Sequence, residues 1–357
     1  MFQDLTLDEL LELRQKKELV TIDVRSPSEF EDATIPGSLN IPLFNDDERA
    51  EIGTLYTQVN VQAAKERGLE IVSAKLPSFI KQFSQIPGNK VVFCWRGGMR
   101  SKITATLLSL MGIHVYRLEG GFRAHRQGVI KALDELIITP PAIVLHGNTG
   151  SGKTAILRIL KDQGYPVLDL EAMAGHRGSV FGDIGLKAHN QKKFDALLID
   201  ELISNERSPY LLIEAESKRI GKVVLPDQLV QKKEEGYQIW LELPIETRVQ
   251  HILNDYCPWE HQEECIKSFL LIKSRIHTPV ANEIEQYLRD GKYERAIELL
   301  LINYYDHRYA YSSSLNNLEK RSVIKANSVE EAVDGIKQLI LKERIYGNAN
   351  MEQSNMS

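Results

Sequence analysis

Apolar positions along the first third of the chain alternate between two spacings. "LTLDELLELRQK" (5–16) spaces its leucines as one face of a helix requires, and "LVTIDVR" (19–25) is a short β-rich run. "PSEFEDATIPGSLNIP" (27–42) is punctuated by Pro and Gly and reads as loop. "SAKLPSFIKQFSQI" (73–86) predicts a helix, "KVVFCW" (90–95) a buried strand, "SKITATLLSLMG" (101–112) a helix and "HVYRLEG" (114–120) a strand. Such alternation predicts a parallel sheet with ligand sites at its carboxyl edge.

A helix over roughly 123–137 precedes Pro140 and Pro141, which cannot continue it and mark a domain boundary. A second α/β unit follows: strand 142–146, a Gly-rich loop, helix 153–163, strand "YPVLDLE" (165–171), a helix near 187–205 and strand "PYLLIEAE" (209–216). After about residue 245 the pattern becomes mostly helical, and residues 282–309 form its longest stretch. These boundaries predict an α/β domain over 1–138, a second over 139–244, a helical region over 245–345 and a disordered polar tail over 346–357.

Composition changes this picture little. The chain has 357 residues, 43% hydrophobic and 26% charged, so each domain is large enough to bury a core. A net charge of -5 argues against overall positive charge coating a nucleic acid, but leaves room for a local basic groove. Three cysteines, Cys94, Cys257 and Cys265, do not make a disulfide framework, and the last two lack metal-ligand spacing and read as bland thiols. The N-terminus has no signal-peptide run and no segment is apolar enough to span a membrane, so a cytoplasmic protein is expected.

The first candidate chemistry is "VVFCWRGGMRS" (91–101). A thiol reacts as thiolate, which backbone N–H groups and nearby positive charge favour. Cys94 stands between strand and helix; Gly97 and Gly98 let the loop turn its amides inward as an anion nest, and Arg96 and Arg100 add positive charge. Arg96, Arg100, Lys102, Arg117, Arg123, Arg126 and Lys131 face one acid, Glu119, over residues 92–131. The bland alternative is a core cysteine. Two chemistries use such a loop: carrying a chalcogen atom as a persulfide-type adduct, or attacking a phosphate monoester with Cys-x5-Arg spacing. "TIDVRSPSEFEDATIPGSLNIP", the cysteine loop and "VYRLEGGFRAHR" resemble, in that order, the signatures of rhodanese domains. Asp23 and Arg25 resemble that family's structural salt bridge. The loop is one residue longer than usual in sulfurtransferases, approaching the dual-specificity phosphatase pattern, although Phe93 stands where those enzymes have His.

The second is "GNTGSGKT", Gly147, Asn148, Thr149, Gly150, Ser151, Gly152, Lys153 and Thr154, which fits G-x-x-x-x-G-K-[ST] between a strand and a helix. Its amides and the helix N-terminus suit a polyphosphate, Lys153 reaches the terminal oxygens and Thr154 suits Mg²⁺. Asp169 with Glu171, and Glu214 with Glu216, offer two carboxylate pairs for a metal shell, with Glu214 and Asp169 taken as the acids beside Thr154. "AGHRGSVFGDIG" (174–185) carries His176 and Arg177 on a Gly-rich loop expected over the phosphates, or else is an ordinary connection.

The pairing of these two loops, with "DDERAEIGTLYTQ" before them and "EAMAGHRGSVFG" after, resembles the bacterial tRNA 2-selenouridine synthase family over much of residues 20–185. The resemblance implies a rhodanese-like parallel-sheet domain and a P-loop α/β domain, to which the pattern after residue 245 adds a helical C-terminal region. It implies as substrate tRNA carrying 2-thiouridine at the wobble position, selenophosphate as selenium donor and geranyl diphosphate as donor of an S-geranyl group, with no prosthetic group. A selenophosphate-supplying enzyme is an implied partner. Cys94 then either carries selenium or binds selenophosphate. Trp95 is the candidate for contact with an anticodon base, and the basic run and C-terminal helices for a track along tRNA. The competing readings are a Cys-dependent phosphatase fused to a small-molecule kinase, and a docking module tethered to an NTPase switch.

Overall fold

Two units make up the chain, residues 1–136 with 192–200 and residues 137–191 with 201–357. The structure is a computed structural model that describes residues 2–16, 18–307 and 321–342. The expected tail, and the end of the longest helical stretch at 308–309, lie outside the described residues.

In the first unit, five parallel strands take the order β1 (Gln3–Leu5), β5 (Val115–Leu118), β4 (Asn89–Phe93), β2 (Leu19–Asp23) and β3 (Leu39–Asn40). Alternation along β4 divides the core. Val92 joins Ile22, Phe83 and Leu108 on one face, while Val91 and Phe93 join Leu10, Leu118 and Phe122 on the other. The predicted helices appear as α1 (Leu7–Gln15), α5 (Met99–Leu110) and α6 (Gly121–Asp134). Residues 27–42 are not all loop. Ser26 and Glu29 form a capping box, Pro27 sits at the first helical position, and α2 (Pro27–Asp32) results. Local capping outweighed the Pro/Gly punctuation. The helix expected over 73–86 is the second half of α4 (Val61–Ser84), started by Asn60, whose side chain accepts from the Ala63 N–H at 2.8 Å. α3 (Asp46–Thr54) precedes it.

The Asp23–Arg25 pair is a buried salt bridge at 2.6 Å. Thr34 donates to Asp23 at 2.9 Å, Arg25 donates to the Ala33 carbonyl at 2.6 Å, and its guanidinium lies 4.2 Å from the Phe122 ring centre. The pair thus ties the end of β2 to the chain entering β3.

The second unit also has five parallel strands, in the order β12 (Arg321–Lys325), β11 (Tyr237–Glu242), β6 (Ala142–Gly147), β8 (Leu211–Glu214) and β7 (Val167–Leu168). Its core packs Ile143, Leu145, Ile239 and Leu241 against Ile156 and Leu160 of α7 (Lys153–Asp162) and Ile336 of α15 (Val329–Lys342). The region after residue 245 is therefore not wholly helical: β12 returns to the sheet edge beside β11, a pairing of distant segments that periodicity does not reveal. The strand expected over 165–171 stops at Leu168. Asp169 caps α8 (Leu170–Ala174) instead, its carboxylate accepting from the Ala172 N–H at 2.8 Å. The hairpin of β9 (Arg219–Ile220) and β10 (Val223–Val224) and α10 (Asp227–Glu235) complete the α/β part, while α9 (Gln191–Ser204) lies mostly in the first unit. The helices α11 (Ile245–Tyr256), α12 (Gln262–Leu270), α13 (Thr278–Arg289) and α14 (Tyr293–Leu300) follow, and Phe269, Ile284, Ala296 and Leu300 form a core among them. No helix among the described residues is long and apolar enough to cross a membrane.

Removing one member of a buried pair strands the other charge. Asp23→Ala is therefore expected to lower the stability of the first unit by about 3 kcal/mol. Denaturant unfolding of the purified protein measures this; a change under about 0.5 kcal/mol would show that the pair is dispensable.

Candidate functional site

β4 ends at Phe93, and Cys94 is the first residue beyond it, only 3% exposed. The loop from Cys94 to α5 is held against the start of α6. Phe122 donates its N–H to the Cys94 carbonyl at 2.8 Å and Arg123 to the Trp95 carbonyl at 2.9 Å, while Arg117 donates to the Gly97 carbonyl at 2.9 Å. Gly121 makes this approach feasible. Its φ is +59°, and a Cβ there would lie 2.2 Å from the Cys94 carbonyl oxygen.

The Cys94 sulfur lies 3.3 Å from the Ser101 hydroxyl, and both residues are buried. The same hydroxyl lies 3.3 Å from the Gly98 carbonyl. It can donate to Gly98 while the sulfur is a thiol, and turn to donate to the sulfur when it becomes a thiolate. Ser101 went unremarked in the sequence, where it is one polar residue in a helix. Arg100 is committed to Glu29, with Nη2 to Oε1 at 3.1 Å, and Arg117 to Asp4 at 2.7 Å. Trp95, Arg96 and Gly98 are exposed, and the Trp95 ring lies 5.7 Å from that of Phe122.

In the second unit the loop Gly147–Thr154 joins β6 to α7. Gly150 has φ +80°, and a Cβ on it would come within 2.8 Å of the Arg248 carbonyl oxygen. Residues distant in sequence shape this loop. Arg248 donates to the Thr149 carbonyl at 2.9 Å and pairs with Asp306 at 2.6 Å; Asn148 donates to Asp306 at 3.2 Å. The His251 ring nitrogen Nδ1 is 2.9 Å from the Gly150 carbonyl. Arg248 and His251 are three apart on α11, and that spacing is their only sequence signal. Lys153 donates to the Gly147 carbonyl at 3.0 Å, and Ser151 is buried.

Thr154 donates to Glu171 at 2.7 Å, and the Glu171 N–H donates to Glu214 at 2.7 Å. Oxygens of Glu171, Glu214 and Glu216 all lie within 4.8 Å of one another. Glu214 is fully buried, and its second oxygen has no hydrogen-bond partner among the described residues. Burial, with the neighbouring Glu216 charge, raises the Glu171 carboxyl to about 7. Burial and the charges of Glu171 and Glu216 hold Glu214 well above the ordinary carboxylate range, and burial raises Glu216. A set of hard oxygen donors with an unpartnered buried oxygen fits a divalent cation such as Mg²⁺, and Thr154, Glu171, Glu214 and Glu216 are the residues that would hold it.

Two residues expected in the site are placed otherwise. Asp169, taken as a metal ligand, caps α8 and faces Arg158 at 3.5 Å. Helical turning after Leu168 puts Glu171, not Asp169, beside Thr154. Arg177, taken as a phosphate ligand, donates to the Ile184 carbonyl at 2.8 Å and the Asp255 carbonyl at 2.6 Å and lies over the Tyr256 ring. It pins the Gly-rich loop to α11. His176 accepts from the Gly178 N–H at 3.1 Å, and burial pushes its imidazole below the ordinary value. The loop itself rests on the carboxylates, since a Cβ on Gly178 would meet Glu216 Oε2 at 2.2 Å.

Comparison with known proteins adds to this geometry. The rhodanese-like domain family matches residues 6–127, and the family described as tRNA 2-selenouridine synthase AAA domain matches residues 140–274. A tRNA 2-selenouridine synthase of Bdellovibrio bacteriovorus is 38% identical over 259 residues, 70% of this chain and 67% of its own length. One from Nitrosomonas europaea is 37% identical over 243 residues, 66% of this chain and 63% of its own. One from Shewanella piezotolerans is 32% identical over 324 residues, 81% and 87% of the two chains.

The folded chain keeps protons on the glutamate trio that the unfolded chain releases above the ordinary value of 4.5. Its contribution to stability is therefore complete below pH 4.5 and is lost as pH rises, through about 7 for Glu171. In chelator-containing buffer, Glu171→Gln is expected to flatten the fall in Tm between roughly pH 5 and 8. An unchanged slope would mean that the trio does not titrate together. For the cysteine loop, Ser101→Ala is expected to slow alkylation of Cys94 by iodoacetamide about tenfold near neutral pH, and Ser101→Thr to restore it. Peptide mass spectrometry resolves Cys94 from the other cysteines; equal rates in all three proteins would leave Ser101 a packing residue.

Proposed function

The chain belongs to the tRNA 2-selenouridine synthase family, and from that membership we propose that it is a transferase replacing the sulfur of wobble 2-thiouridine in tRNA with selenium. Selenophosphate supplies the selenium and geranyl diphosphate activates the sulfur, in the cytoplasm. What carries this reading is the presence of two anion-receptive loops of different chemistry. One presents a sulfur nucleophile, Cys94; the other presents an ammonium, Lys153, beside buried carboxylates.

A 2-thiocarbonyl sulfur leaves poorly. S-alkylation corrects this: the sulfur forms a bond to C1 of the geranyl chain, the C1–oxygen bond breaks, and diphosphate departs with the electron pair. Lys153 and the loop amides hold that diphosphate. A divalent cation bound by Thr154 and the glutamates would supply further neutralisation of its charge. The selenium of selenophosphate then adds at C2 of the base, geranylthiolate leaves with the C2–S electron pair, and water takes the phosphoryl group from selenium, breaking the Se–P bond and releasing phosphate. The Cys94 loop, with Ser101 beside the sulfur, either carries selenium or binds selenophosphate. In this reading Trp95, exposed beside Cys94, stacks on a tRNA base.

The two loops are separable by assay. Lys153→Ala removes a charge-assisted contact worth about 1.5–3 kcal/mol and is expected to block geranylation of thiolated tRNA. Geranylated tRNA supplied directly should then restore selenation by that variant. Cys94→Ser should do the reverse, accumulating geranylated tRNA without incorporating selenium. Nucleoside mass spectrometry reads both steps. Loss of both steps in both folded, tRNA-binding variants would sink the division of labour.

A further inference from the structure

The cysteine loop carries an arginine that neither proposed step uses. Arg100 lies in the first turn of α5, at the position where a Cys-x5-Arg loop turns its guanidinium fork toward two oxygens of a bound phosphate. In this chain the fork is already taken. Arg100 Nη1 donates to Glu29 Oε2, and Nη2 donates to Oε1 at 3.1 Å, so one carboxylate fills the places of two phosphate oxygens. The two side chains are only 16% and 24% exposed, so salt and water screen the pair little.

Glu29 is itself fixed in place. It closes the capping box of α2, accepting from the Ser26 N–H at 3.2 Å, and Arg49 of α3 lies 3.8 Å from it. Burial alone would raise the Glu29 carboxyl, but the hydrogen bonds and charge of Arg100 outweigh it and hold the group below its ordinary value. Burial also opposes the Arg100 charge, and the Glu29 bonds and charge prevail there too. The charge of Cys94 adds to them, which places the guanidinium within electrostatic range of the sulfur. A lysine here would swing between partners; a planar guanidinium held by both arms serves a second anion only by leaving the first.

We propose that Glu29 is a specificity residue of the cysteine loop: it occupies both arms of Arg100 and so keeps inorganic phosphate and phosphate monoesters off the loop. Cys94 then stays open where phosphate is abundant, as a sulfur that must meet selenium or selenophosphate requires. That purpose rests on the function proposed above; the competition between Glu29 and an oxyanion rests on the geometry alone.

Protection of Cys94 from iodoacetamide by inorganic phosphate tests it, at constant ionic strength, with peptide mass spectrometry of the full-length protein. The readout reports phosphate at this loop rather than at Lys153, and each variant is compared with its own phosphate-free rate. Glu29→Gln keeps the reach back to the Ser26 N–H, removes the charge, and is expected to lower the half-protecting phosphate concentration at least about tenfold. Glu29→Asp, one methylene shorter, no longer spans both arms and should gain less, in the same direction. Adding Arg100→Gln to Glu29→Gln should cancel the gain and return protection to within about threefold of wild type. Unchanged protection in both Glu29 variants, or a gain that survives Arg100→Gln, would overturn the proposal. No selenium or tRNA enters this assay, so its failure and a failure of selenation are read separately.

Discussion

Glu214 ends β8 with no exposed surface, and oxygens of Glu171 and Glu216 lie within 4.8 Å of its own. Ionising carboxylates this close in a dry site costs several kcal/mol per ion, through lost hydration and mutual repulsion. The second unit is organised around that cost. Thr154 brings the phosphate loop to Glu171, the Glu171 N–H joins α8 to Glu214, and buried Lys233 donates to the Glu216 carbonyl at 2.5 Å. The Gly-rich loop closes on Glu216 through Gly178. Positive charge delivered here favours ionisation of the whole group, so phosphate loop, α8 and β8 respond together.

The cysteine loop meets the opposite demand. Its arginines do not simply add positive charge, because Arg100 is paired with Glu29 and Arg117 with Asp4. What remains for an anion is mostly backbone, shaped by the close approach of Gly121 and Phe122, together with exposed Arg96. With its other arginines paired, such a loop would offer a thiolate or an oxyanion backbone and one guanidinium, with little long-range field.

A phosphate loop specifies phosphates, but its shape here is set from outside it. Arg248 and His251 of α11 hold the carbonyls of Thr149 and Gly150. One helix thus fixes the geometry of a loop that lies far from it in sequence.

The sequence alone was enough for the parallel-sheet architecture, the cysteine loop and the phosphate loop, because each is written in a few neighbouring residues with a local physical meaning, while the Asp23–Arg25 pair was expected only from the resemblance to rhodanese domains. Glycines, a lysine after a strand and a cysteine before a helix need no distant partner to be recognised. The acid cluster was only half legible: Glu214 stood out at the end of an apolar strand, but Asp169 looked as good as Glu171 until Asp169 was seen to cap α8. Arg177 carried the charge expected of a phosphate ligand and spent it on backbone carbonyls of Ile184 and Asp255. The edge strand β12 and the clasp of Arg248 with Asp306 join segments tens of residues apart. Only the tertiary structure decided these, because burial and pairing are properties of chain segments brought together, and hydrophobic spacing records which face is buried without recording against what.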